Sequence, residues 1–287
     1  MSISIAQSIL AAAQHLCRSG VPEARREAVS LLTYVIGRDR TFIISHPEHL
    51  ITAAQLESFH EYVERRAKGE PLQYITGYQD FFGLDFEVTK DVLIPRPETE
   101  ILVETALELI GGPGAAPLIC DVGTGSGCIA VTLLHEVPLS RAVAIDVSAA
   151  AIRVAERNAR RHAVEERIAF VIADCFAGID IGPKFDLVVS NPPYVARHAL
   201  QGLQREVRDY EPRLALMAGD DGLSMIRRLL SEGGCFLKAG GYLLIEIGFD
   251  QGAAVEKIID RNTWNLRDIH QDLQRIPRTV ALQRIAS

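Results

Sequence analysis

The chain has 287 residues, 48% hydrophobic and 23% charged, which excludes a mostly disordered protein and suits one large domain with a small one, or two modest ones. Thirty-seven acidic against thirty basic residues give a net charge of -7. That disfavours general nucleic-acid affinity, which draws on a basic excess to neutralise phosphates. Five cysteines (Cys17, Cys120, Cys128, Cys175, Cys235) form no C-x-x-C pair, which argues against a disulfide framework and a zinc site.

In chain order, the start has no charged region ahead of its apolar residues, and Gln7, Gln14 and His15 interrupt the run before it could span a bilayer. No later stretch is long and apolar enough either, so a soluble, cytoplasmic protein is expected. Up to about Gly69 the texture is helical. Ile5, Ile9, Leu10 and Leu16 recur at helical steps, followed by Ala28, Leu31, Leu32 and Val35. Pro22-Glu23 opens the second of these helices and Gly37 closes it. Thr52 with Gln55 forms a capping box that opens a further helix, ending near Gly69-Glu70-Pro71. Residues 1–80 carry eight basic and nine acidic side chains, the balance of a neutral helical bundle.

Aromatic and β-branched residues around Gly83, from Tyr78 to Val88, read as a hairpin. Pro95 and Pro97 then fix an extended segment before a helix over 98–110, and 111–117 is a loop. Beyond it β and α alternate. Strands are expected at 118–122, 142–146, 168–173, 185–190, 242–247 and 279–284. The intervening helices fall at 127–136, 148–162, 222–238 and from about 251. Continuous apolar strands such as Leu187–Ser190 suit a parallel sheet covered on both faces, built from right-handed βαβ units into a doubly wound α/β fold. The expected organisation is a helical domain over 1–75, a hairpin and linker over 76–97 and an α/β domain over 98–287.

Three strand ends carry the chemistry. The first runs Asp121-Val122-Gly123-Thr124-Gly125-Ser126-Gly127 into a helix. Its glycines permit positive φ and close approach of a ligand to the backbone, and the helix start offers N–H groups. The spacing is neither that of dinucleotide folds nor that of a phosphate loop, but it favours a nucleotide-like cofactor over a purely structural turn. About twenty residues on, Asp146 ends a strand, where a carboxylate can accept both hydroxyls of an adenosine ribose. Capping the next helix is the plainer role, for which Ser148 is available. Asp174 after the third strand is placed to accept from an adenine amino group, with Cys175 or Phe176 packing nearby.

The fourth strand ends in Ser190-Asn191-Pro192-Pro193-Tyr194. Two prolines stiffen the backbone after Asn191, so its amide is presented rigidly at the edge of the sheet where ligands bind. Tyr194 adds an aromatic face. This set resembles S-adenosylmethionine (AdoMet) enzymes that methylate planar, weakly basic NH₂ groups. Further segments make the resemblance specific: Pro71–Gly77, Phe81–Phe86, Ile94-Pro-Arg-Pro-Glu-Thr-Glu100, Tyr210–Leu216 and Gly219–Gly222. Over nearly its whole length the chain resembles the release-factor glutamine methyltransferases, the PrmC/HemK family.

The resemblance implies a Rossmann-like class I AdoMet methyltransferase. Its reaction would be methylation of the glutamine N5 in the Gly-Gly-Gln loop of class 1 peptide-chain release factors. It also implies that Gly123, Thr124, Gly125, Ser126, Gly127, Asp146, Asp174, Cys175 and Asn191 bind AdoMet, and that Asn191, Pro192, Pro193 and Tyr194 hold the glutamine. Family members often have a larger side chain where Cys175 stands, so Cys175 and Phe176 both remain candidates beside adenine. The proposed catalytic groups are the Asn191 amide oxygen and the Pro192 carbonyl, neutral acceptors for the two N–H bonds of the substrate amide. A monomer without metal, stable nucleic-acid partner or membrane is expected. An adenine-N6 DNA or RNA methyltransferase is the alternative from the same chemistry; a nicotinamide oxidoreductase or an inactive AdoMet-binding module fits on fold alone.

Other candidates carry less. His46 and His49 lie in a loop without a third ligand, and His135-Glu136 lacks the second histidine of a zincin. Arg96 and Glu98 read as capping or docking residues that the family pattern puts near the cleft. Phe81, Phe82 and Phe86 read as hairpin core. Arg25, Arg26, Arg65 and Arg66 read as solvated helix faces, available to a release-factor surface.

Overall fold

The computed structural model describes residues 3–112, 114–179 and 184–286; of the segments read above, Met1, Ser2 and Pro113 lie outside them. The chain divides into two compact units, Met1–Tyr78 with Gln204–Tyr210, and Gln79–Leu203 with Glu211–Ser287.

The first unit is built on helices α1 (Ile5–Arg18), α2 (Ala24–Ile36), α3 (Arg40–Ser45), α4 (Ala53–Ala67) and α5 (Leu72–Thr76). Capping boxes Ser4/Gln7 and Thr52/Gln55 start α1 and α4, and Gly37 ends α2 in the left-handed region. Each helix turns an apolar stripe inward, with Leu16, Leu31, Leu32, Ile43 and Phe59 fully buried. A two-stranded ribbon of β1 (Ile3–Ser4) and β2 (Leu50–Ile51) was not expected, nor were the short helices α3 and α5. Such short elements leave too few residues for a periodic signal.

Arg66 corrects the sequence reading. It is 3% exposed, not solvated, because it continues the buried stripe Phe59–Val63–Arg66 of α4. Its guanidinium is satisfied by Glu27, by Glu206 at 2.7 Å and by the Glu70 carbonyl at 3.2 Å. Arg65 grips Glu70 with two bonds of 2.9 and 2.8 Å.

The second unit begins with the hairpin β3 (Tyr78–Phe81) and β4 (Leu84–Glu87), turned through Phe82 and Gly83, both at positive φ. After α6 (Glu100–Ile110) come β5 (Leu118–Val122), α7 (Cys128–Glu136), β6 (Arg141–Asp146), α8 (Ala149–Arg161), β7 (Ile168–Ile172) and β8 (Phe185–Ser190). Two short helices follow, α9 (Arg205–Tyr210), which groups with the first unit, and α10 (Arg213–Leu216). The chain ends with α11 (Ser224–Phe236), β9 (Leu237–Glu246), α12 (Gly252–Ile258), β10 (Trp264–Gln271) and β11 (Pro277–Arg284).

The seven strands lie in the order β10-β11-β9-β8-β5-β6-β7. From β9 to β7 all pairings are parallel, while β11 runs antiparallel to both its neighbours. Alternate residues enter two separate cores. Ala144, Leu187, Val189, Leu244 and Ala281 join Leu102, Ile129 and Leu133 on one face. Ile145, Val188, Leu243, Ile245 and Val280 join Ile226, Leu229 and Val255 on the other. This is the doubly wound α/β sheet expected, with two differences: it is mixed rather than wholly parallel, because β11 runs antiparallel, and it has an extra edge strand. Strand β10 was missed because Asn265, Arg267, Asp268 and His270 interrupt its apolar pattern. An edge strand tolerates them, having a neighbour on one side alone. No helix among the described residues is long and apolar enough to cross a membrane.

Candidate active site

Parallel strands deliver their carboxyl ends to one edge, and where the chain order reverses beside β5 a crevice must open. A cavity of about 310 Å³ lies there. Its floor is Gly123–Ser126 after β5, Asp146–Ser148 after β6, Ala173–Cys175 after β7, and Asn191 with Pro193 after β8. Val92, Pro95 and Thr99 form one wall, and Pro212, Leu214, Met217, Met225 and Arg228 another.

The glycine turn is held from below. Gly123 and Thr124 donate to the Ile145 carbonyl at 2.8 and 2.9 Å, and Gly125 donates to Asp146 Oδ2 at 2.9 Å. Gly123 has φ +77°, and a Cβ there would meet nothing within 4 Å. The backbone therefore faces open cavity, the kind of cradle a ligand fills. Gly127 is spaced differently: a Cβ would come within 3.1 Å of the Ala155 Cβ, so this glycine lets α7 pack on α8. Gly127, Pro192 and Tyr194 are not among the residues lining the cavity.

Asp146 accepts from Gly125 and, through Oδ1, from the Ser148 N–H at 2.8 Å, while Ser148 itself caps α8. Burial raises the Asp146 carboxyl above its ordinary value, opposed by these N–H bonds. Two of its roughly four acceptor sites are used. Asp121, fully buried beneath the turn, accepts from the Thr124 hydroxyl at 2.7 Å. Burial pushes it up to about 7, and its Oδ1 has no partner among the described residues. An orphaned buried oxygen below an open cradle suits a ligand that brings a cation or a donor.

Asp174 is drawn to Arg228, whose Nη1 donates to Oδ1 at 2.7 Å and whose Nη2 donates to its carbonyl at 3.2 Å. Cys175 lines the cavity in the left-handed region, φ 55°, and burial pushes its thiol up to about 11. The Phe176 ring instead stacks on Phe236, centroids 4.5 Å apart, inside the core.

The Asn-Pro-Pro-Tyr loop is braced from afar. Gln251 donates to the Tyr194 and Gly222 carbonyls, both at 3.1 Å, and accepts from the Gly248 N–H at 2.9 Å. Val195 bonds Leu216 and Ala218 through its own N–H and carbonyl. A Cβ at Gly222, φ +75°, would lie 2.4 Å from the Tyr194 carbonyl, so only glycine fits. Burial pushes the Tyr194 phenol up to about 12. Asn191 Nδ2 donates to Thr99 Oγ1 at 3.1 Å.

Residues 7–77 match the PrmC N-terminal domain model and residues 98–208 the methyltransferase small domain model. The chain is 40% identical over 283 residues to the release factor glutamine methyltransferase of Koribacter versatilis, covering 97% of this chain and 98% of that one. It is 42% identical over 276 residues to the enzyme of the same name from Nitratidesulfovibrio vulgaris, covering 95% and 92%. The chain belongs to the release factor glutamine methyltransferase family. It is a methyltransferase. In fold it is similar to a methyltransferase from Pyrococcus furiosus, with TM-score 0.53 and 16% identity over 82% of this chain and 100% of that one.

Several residues at this family site escaped the sequence reading. Asp121 was seen only as the start of the glycine motif, and Thr99 only within a family segment. Glu246, Gln251 and Arg228 gave no local signal at all. Asn158, fully buried in α8, bonds both the N–H and carbonyl of Glu87 and the Ser126 carbonyl, tying hairpin, helix and glycine turn together. Arg96 pairs with Glu211 inside the second unit, a contact that is neither the helix cap nor the domain docking expected of it. Phe81 and Phe86 are buried against each other.

Proposed function

We propose that this enzyme transfers a methyl group from AdoMet to the side-chain N5 of the glutamine in the Gly-Gly-Gln loop of class 1 release factors. AdoMet, when bound, supplies a methyl carbon already activated by its positively charged sulfur. Gly123–Ser126 would hold it through the open backbone cradle, and Asp146 would accept from its ribose through unused lone pairs. Asp174 would accept from adenine with Cys175 beside the ring, a choice over Phe176 favoured by the Phe176–Phe236 stack.

The observation that carries the reading is the orientation of Asn191. One N–H of its amide is given to Thr99, while its oxygen accepts from no side chain among the described residues and is open to a substrate. An amide nitrogen is a weak nucleophile because its lone pair is delocalised into the carbonyl. The chain's task is therefore alignment. Asn191 Oδ1 and the Pro192 carbonyl would accept the two N–H bonds, turning the nitrogen toward the methyl and stabilising the positive charge that grows on it. Both acceptors are neutral, and neither removes a proton before transfer. The nitrogen becomes acidic once methylated and loses its proton then, so no dedicated base is required. Tyr194 would pack beside the amide plane. Alignment of this kind supplies up to about 7–11 kcal/mol in well-oriented systems.

Action as a monomer is part of this reading. Translation termination puts the enzyme in the cytoplasm. Incubation with labelled AdoMet and a purified release factor, followed by peptide mass mapping, tests the reading. Methyl on the Gly-Gly-Gln glutamine is expected. Label transferred to adenine in DNA or RNA, with none on the release factor, would replace it.

A further inference from the structure

Asn has two nearly isosteric amide orientations, and only one offers an acceptor to the substrate. Here the choice is made by two buried side chains. Thr99, 1% exposed, lies on the cavity wall and accepts from Asn191 Nδ2 at 3.1 Å. The Thr99 side chain is also in reach of the carboxyl of Glu246, 2% exposed, at the end of β9, the strand next to the one that leads to Asn191.

A hydroxyl has a single proton. An ionised Glu246 can only accept and takes that proton, so Thr99 then has only lone pairs to offer and binds the NH₂ of Asn191 rather than its oxygen. A flipped Asn191 would either face oxygen to oxygen or take the hydroxyl proton away from Glu246. The second oxygen of that carboxylate, Oε2, already has no partner among the described residues. Stripping the first as well would leave a buried carboxyl without any of these bonds, which is costly. Glu246 thus fixes Thr99, and Thr99 fixes Asn191.

We propose that Thr99 and Glu246 are positioning residues that hold the acceptor face of Asn191 toward the substrate, so that the site selects an NH₂ donor. This rests on the role given above to Asn191 and extends it to two residues that act through Asn191.

The test compares Thr99→Val, which keeps the shape and removes the hydroxyl, with Thr99→Ser, which keeps the hydroxyl. Release-factor methylation kinetics, AdoMet affinity and thermal stability are measured for each. Thr99→Val is expected to lower kcat about tenfold or more while AdoMet affinity stays within twofold, and Thr99→Ser to recover most of the rate. Glu246→Gln, whose amide can donate to Thr99 as well as accept, gives a smaller loss of a few fold and serves if Thr99→Val does not fold. Turnover within twofold of the parent in Thr99→Val and Glu246→Gln would overturn the proposal, as would equal losses in the valine and serine variants. Asn191→Ala separates the two levels. Full turnover there sinks the Asn191 role itself, whereas a dead Asn191→Ala beside a fully active Thr99→Val sinks only the positioning.

Discussion

The glycine turn after β5 and the Asn-Pro-Pro-Tyr loop after β8 sit on adjacent strands of the same sheet edge, yet they are held by different sets of contacts. The turn rests on the tip of the neighbouring strand, with bonds to Ile145 and Asp146, and on Asn158 of α8 through the Ser126 carbonyl. The loop takes its shape from residues far along the chain: Gln251, Gly222, Leu216, Ala218 and, through Asn191, Thr99. A cofactor cradle needs open backbone, which small residues provide locally. A substrate grip needs one side chain in one orientation, and that requires walls from several elements.

If the division is right, damage at the two regions should separate cleanly into cofactor and substrate effects. The largest effect is expected from Asn191→Ala, with kcat falling on the order of 10²–10³-fold while calorimetry finds AdoMet affinity retained. Equal losses of turnover and AdoMet affinity would break the comparison. Asp146→Ala should act on the other side. Losing the acceptor for Gly125 and Ser148, together with the ribose contact proposed for it, should weaken AdoMet binding about ten- to a hundredfold, read by titration, with little change in release-factor KM.

Gly222→Ala probes the long-range brace. Its Cβ would clash with the Tyr194 carbonyl and its φ is strained for any other residue, so a destabilisation of about 1–3 kcal/mol and a turnover loss of about tenfold are expected. Normal turnover with a lowered melting temperature would mean that the brace serves folding alone.

The smallest effect sharpens the picture through pH. Burial raises the carboxyls of Asp121 and Glu246 to about 7, above their ordinary 3.8 and 4.5. The folded state therefore binds more protons than the unfolded one between roughly pH 4 and 7, and stability falls as pH rises through that window. Glu246→Gln removes one of the two groups. The variant should match the parent near pH 4 and gain on it by pH 8, by an amount on the order of 3 kcal/mol at most. Thermal melts across that range that run parallel for both proteins would contradict the burial effect.

The alternating strands and helices, the capping box at Thr52, the hairpin at Phe82-Gly83 and the strand ends carrying Gly123, Asp146 and Asn191 were all legible in the amino-acid order. Each depends on residues a few positions apart, where periodicity, turn chemistry and proline stiffness act. The buried place of Arg66, the polar edge strand β10 and the direction of the Asn191 amide were decided elsewhere. Glu27 is 39 positions from Arg66 and Thr99 is 92 from Asn191, so only folding brings the groups together. Local chemistry named the groups at the site, and packing chose which way each one faces, because a buried polar atom must take whatever partner the tertiary structure sets beside it.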